Sequence, residues 1–84
     1  MKNIYVIMIL CDDTNGKYID YVNRAYDNFK TAKLTMIKCA KDEVNSLNQE
    51  SNEFKLEEDN NIIKVIKKNT NFVLSKYEVI ELKI

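Results

Sequence analysis

Asp12-Asp13-Thr14-Asn15-Gly16 is the stretch on which the fold turns, because it separates the apolar run Ile4 to Cys11 from the tyrosine-rich stretch Tyr18 to Tyr26. Asn and Gly tolerate the positive φ angles of a tight two-residue turn, so Asn15-Gly16 between two such runs predicts a β-hairpin. With these two residues as the loop, Thr14 faces Lys17, Leu10 faces Tyr21 and Val6 faces Ala25. Pleat alternation then gathers Ile4, Val6, Met8, Leu10, Ile19, Tyr21 and Ala25 on one face, interrupted by Asn23, and this is the expected core face. The opposite face carries Tyr5, Ile7, Ile9 and Cys11 beside Asp20, Val22, Arg24 and Tyr26, with Tyr5 and Tyr26 side by side.

At about 100° per residue, Phe29, Ala32, Met36, Ile37, Cys39, Ala40, Val44 and Leu47 fall on one side of a helix. Lys30, Lys38, Lys41, Asp42 and Asn45 point away, while Leu34 lies off the stripe. Asp27 or Asn28 is placed to cap the helix start, and positions 48–52 supply a polar break after it. Tyr18, Val22, Ala25 and Phe29 also fit the helical period, which allows a rival single helix from Lys17 to Leu47. That helix would be far longer than the usual mean of about 11–12 residues and would leave the Asn-Gly turn unused.

The remainder reads as strands: Phe54 to Glu57, the β-branched Ile62 to Lys67, and Phe72 to Ile84, with Asp59-Asn60-Asn61 and Lys68-Asn69-Thr70-Asn71 as turns. The expected fold is α+β, a single domain over 1–84 in ββαβββ order, with an antiparallel sheet and one amphipathic helix packed on one face. One helix covers one sheet face, yet the first strand is apolar on both. The second face is expected to be a protein-binding surface built from Tyr5, Ile7, Ile9, Val22, Arg24 and Tyr26, a composition favoured at binding hot spots. On this reading, Tyr26→Ala and Arg24→Glu leave folding intact and abolish binding. Two alternatives stand beside it: Phe72, Leu74 or Ile84 of the final segment curls over this face, or a second copy of the chain covers it.

Composition narrows the chemistry. Thirteen Lys plus Arg balance thirteen Asp plus Glu, so no net field draws the chain to nucleic acid or an anionic membrane. Twelve of the thirteen cations are Lys, and Asn and Ile are abundant, a bias expected of an AT-rich genome. With one Gly and no His, Pro or Trp, a glycine-rich phosphate loop, an imidazole base and a histidine metal site are excluded. The run Asp12 to Gly16 also fails as a calcium loop: with Gly16 as the sixth position, Cys11 and Val22 fall where carboxylates are needed. The Cys, Ser and Thr nucleophiles have no histidine to activate them, so the expectation is a non-enzyme without cofactor or metal.

Lys2 followed by Ile4 to Cys11 resembles a signal peptide only until Asp12 and Asp13 end the run, well short of the roughly 20 residues that span a bilayer. A cytoplasmic protein is expected, with Cys11 and Cys39 reduced and buried. Glu53, Glu57, Glu58 and Asp59 form an acidic segment, a secondary contact for a basic partner surface.

The helix entry Tyr26-Asp27-Asn28-Phe29-Lys30-Thr31-Ala32 and the closing Tyr77-Glu78-Val79-Ile80-Glu81-Leu82 resemble small α+β proteins of low-GC bacteria and their phages. The resemblance is structural and transfers no functional residue. It implies a stoichiometric inhibitor of a bacterial defence effector, of the anti-CRISPR type, acting by occlusion in the bacterial host cell. A small structural or regulatory homodimer and a small-molecule sensor with its ligand between helix and sheet are the alternatives.

Overall fold

The computed structural model describes residues 2–13, 16–21, 24–49 and 52–83, with the backbone alone for Asp13 and Tyr18. The class is α+β. Strands β1 (Asn3–Asp13) and β2 (Gly16–Tyr21) precede helix α1 (Phe29–Leu47), and β3 (Phe54–Asp59), β4 (Ile62–Lys67) and β5 (Val73–Lys83) come after it. They form one five-stranded antiparallel sheet in the order β2-β1-β5-β4-β3. The first and last strands therefore pair at its centre, from Asn3 opposite Lys83 to Cys11 opposite Ser75.

The hairpin forms in a register shifted by two residues from the expected one. Asp13 pairs with Gly16, Leu10 with Ile19 and Met8 with Tyr21. Gly16 is thus the first residue of β2, at φ +120°, rather than the second loop residue. The loop positions 14 and 15 lie outside the described residues, as does the Thr14–Lys17 pair. The expected Val6–Ala25 strand pair does not form: Ala25 is exposed and outside the strands, and Val6 pairs on the other edge of β1 with Ile80 of β5. An even shift keeps each side chain on its face, so Ile4, Val6, Met8, Leu10, Ile19 and Tyr21 still share one. Tyr5 and Tyr26 do lie side by side, joined by reciprocal backbone hydrogen bonds of 2.8 Å.

The strand Gly16–Tyr21 and a helix that begins only at Phe29 rule out the single helix from Lys17. Asn28 caps α1: its side-chain oxygen accepts from the Thr31 N–H at 3.2 Å. Ala32, Met36 and Ala40 are fully buried, and Phe29, Ile37, Cys39, Val44 and Leu47 pack around them, which is the whole expected stripe. Off the stripe, Leu34 is 59% exposed. At the far end the Asn48 side chain both donates to the Phe54 carbonyl (2.9 Å) and accepts from the Phe54 N–H (3.0 Å), tying the helix end to the start of β3. Asn60 at φ 53° and Asn69 at φ 64° supply the left-handed residues of the two later turns.

The helix packs on the face opposite to the one expected. The core beneath it is Ile7, Tyr26, Ile63, Val65, Tyr77 and Val79, with Tyr5, Ile9, Phe54 and Leu56 around the margin. The central strands decide this. On the helix side β5 presents Ser75, Tyr77 and Val79, whereas on the other it presents Lys76 and Glu78, with Lys64 of β4 opposite Lys76. Lys55, Glu57 and Asp59 of β3 lie on that side too, so placing α1 there would take a band of charged side chains out of water, at a cost of several kcal/mol.

Candidate interaction face

Four of the six residues expected to bind a partner are core or core margin. Ile7 is 0% and Tyr26 8% exposed, and Tyr5 packs edge-on against Phe29 of the helix with ring centroids 5.7 Å apart. Ile9 also packs against this core. Arg24 is exposed and lies over the Tyr26 ring, 5.2 Å from its centroid, closing the core rim by a cation–π contact. Val22 lies outside the described residues. Tyr26→Ala thus empties a core site and cannot leave folding intact. The acidic Glu53, Glu57, Glu58 and Asp59 are exposed on and before the edge strand β3. Cys11 and Cys39 are free thiols, half-buried rather than fully buried.

The open surface is the other face of the sheet. The register aligns Ile4 with Leu82, Val6 with Ile80, Met8 with both Tyr21 and Glu78, and Leu10 with both Ile19 and Lys76. Eight apolar side chains on β2, β1 and β5 therefore form one continuous surface, with Ile19 57%, Tyr21 55% and Leu82 44% exposed. The final strand does not curl over it: β5 sits in the sheet between β1 and β4, and Phe72 just before it is 42% exposed. Ile84 lies outside the described residues. Toward the hairpin end the face dips into a groove of about 620 Å³ bounded by Leu10, Ile19, Phe72 and Val73, with Lys17 and Lys76 at its margin.

Under the helix the polar chemistry is self-contained. The Glu43 carboxylate accepts from Ser75 Oγ at 2.7 Å and from the Tyr77 hydroxyl at 2.5 Å. Burial first, and then the hydrogen bond to Glu43 and its negative charge, push the Tyr77 hydroxyl far above the ordinary tyrosine range. Ser75 and Tyr77 are 3% and 4% exposed, so this arrangement ties helix to sheet rather than facing a substrate.

Sequence reasoning recognised two apolar faces on β1 and assigned the helix to the wrong one. The signal that separates them is the alternation Ser75-Lys76-Tyr77-Glu78-Val79, which becomes decisive once β5 is known to neighbour β1.

These features define the molecule as a sheet-and-helix domain with one covered and one open apolar face. Comparison with protein-family models, curated proteins and solved structures gives no match. Among the described residues no helix is long and apolar enough to cross a membrane.

Proposed function

We propose that the protein is a non-enzymatic protein-binding module whose contact surface is the sheet face opposite α1. The observation that carries this reading is the continuous apolar surface of β2, β1 and β5, with Ile19, Tyr21 and Leu82 each more than two-fifths exposed. Contiguous apolar patches beyond a few hundred Å² on small domains mark interaction sites. The expected inhibitor of a bacterial effector fits this reading as a domain that occludes a larger partner with its open face. The open face takes over the role first given to the Tyr5, Ile7 and Tyr26 surface.

The test is capture of the tagged protein's partners from a lysate of its host, repeated with Ile19→Lys and Leu82→Lys on the open face and Leu34→Lys on the outer surface of the helix. All three positions are exposed, so circular dichroism should show the folded state in each. Capture is expected to fail for the two sheet variants and persist for Leu34→Lys. Unchanged recovery by the sheet variants would overturn the assignment.

A further inference from the structure

We infer that the outer edge of β2 takes an extended segment of the partner protein as a sixth strand, apolar beside Ile19 and Tyr21 and basic between them. This rests on the reading of the open face as the contact surface and names the element through which the partner joins it. The sheet has two edges, β2 and β3, and the chain treats them differently. At β3 the Asn48 amide occupies both backbone groups of Phe54, α1 packs against the strand, and Lys55, Glu57, Glu58 and Asp59 are all exposed along it. Charge and cover of this kind close an edge to further pairing.

Among the described residues no element but β1 packs against β2, and the strand carries the two most exposed large apolar side chains of the sheet, Ile19 and Tyr21. The Tyr21 N–H donates to the Asp20 carboxylate at 2.8 Å, which marks Tyr21 as a residue whose backbone turns away from β1. Antiparallel pairs alternate in this respect, so Ile19 and Lys17 turn outward as well, while Tyr18 and Asp20 hold the ladder to Cys11 and Ile9. Among the described residues no hydrogen bond from elsewhere reaches the outward backbone groups of Ile19 and Lys17.

Free N–H and C=O groups along an edge are complementary to another extended backbone, whose bonds supply affinity while alternate side chains supply specificity. An antiparallel segment laid there exchanges backbone bonds with Ile19 and Tyr21. For the second pair the Tyr21 N–H must leave Asp20, and a Lys or Arg between the two bonded positions lies across from Asp20 and takes the released carboxylate. The residues flanking that cation stand beside Ile19 and Tyr21 and prolong the apolar rows that run through Leu10 and Met8. The segment therefore reads apolar, basic, apolar. A second copy of β2 does not supply this pattern: outward residues pair with outward residues, so the strand's one cation, Lys17, never lies across from Asp20.

Hydrogen exchange of the full chain, read residue by residue by NMR, tests this with the end-capped peptide Thr-Val-Lys-Val-Thr. In the free protein the Lys17 and Ile19 amides should exchange faster than those of Tyr18 and Asp20, and saturating peptide should slow Ile19 about tenfold or more. The same peptide N-methylated at both valines has no donor to offer the edge and should leave Ile19 unprotected. Asp20→Lys, folded by circular dichroism, should prefer the peptide with Glu in place of Lys by about threefold or more, the reverse of the wild type. No slowing by the peptide, or equal slowing by its N-methylated form, would overturn the inference. So would sedimentation as a dimer that the peptide dissociates, which would give the edge to a second copy. If Leu82→Lys abolishes lysate capture but the peptide leaves Ile19 unprotected, the edge falls and the binding face stands. If the peptide protects Ile19 and capture is indifferent to Leu82→Lys, the edge stands and the wider face falls.

Discussion

The Tyr77 hydroxyl donates to Glu43 Oε1 at 2.5 Å across the boundary between helix and sheet, and Ser75 donates to the other oxygen of the same carboxylate. One side chain of α1 thus satisfies two nearly buried hydroxyls of the central strand β5, fixing how the helix lies along it. Glu43→Ala would leave both donors unmet. Each unsatisfied buried group costs about 1–3 kcal/mol, so chemical denaturation should show a loss of about 2–6 kcal/mol for the two. Glu43→Gln, which keeps one acceptor and can turn its amide, should lose less than Glu43→Ala.

The Tyr77 hydroxyl gives the fold a defined alkaline weakness. Its pKa is raised in the folded state, so above the ordinary tyrosine value of about 10 the unfolded chain releases a proton that the folded chain retains. Stability from this group is complete below about pH 10 and falls by up to about 1.4 kcal/mol per pH unit above it. Tyr77→Phe should remove this part of the alkaline slope in denaturation measured from pH 9 to about 12. Tyrosinate absorbance of the folded protein over the same range should be the same in wild type and Tyr77→Phe, because Tyr77 stays protonated there.

Asn48 closes the helix onto β3 through two hydrogen bonds to the Phe54 backbone. Asn48→Ala should destabilise the protein by about 1–3 kcal/mol, since both Phe54 backbone groups lose their partner at a half-buried site. Hydrogen exchange should show the Phe54 amide among the most accelerated by this substitution.

At φ +120° Gly16 occupies a region that side chains avoid, but a Cβ built there meets nothing within 4 Å. Gly16→Ala therefore costs backbone strain alone, about 1–2 kcal/mol by thermal unfolding, without rearranging the core. A much larger loss would show that the hairpin register depends on this residue.

Tyr26→Ala should destabilise by about 3–5 kcal/mol, because it removes a core ring and the surface on which Arg24 rests. Arg24→Ala, which leaves the ring in place, should cost no more than about 1 kcal/mol. The comparison separates packing from cation–π contact.

Local pattern alone gave the helix nearly complete, because its eight apolar residues recur at the helical period and Asn28 can cap only a helix that begins just after it. It also gave Ile62–Lys67 as a strand with its observed bounds, through β-branched residues between asparagine turns. Asn60 and Asn69, both at positive φ, show why those turns were legible: their chemistry is local. The pairing of Tyr5 with Tyr26 was legible too, because that bridge keeps the expected register and the two-residue shift is confined to the strand pairs nearer the turn.

The residues by themselves therefore determined the set of elements, their α+β class and the presence of two apolar faces on the first strand. Which face the helix took was decided only in three dimensions. The apolar residues of β1 are equally suited to either side, and the choice passed to β5 and β4, whose Lys64, Lys76 and Glu78 must keep to the uncovered side. Strands β1 and β5 stand at opposite ends of the chain, and no period within either one records that they pair. The burial of Tyr26 and Ile7, and with it the exposure of Ile19, Tyr21 and Leu82, results from that long-range contact.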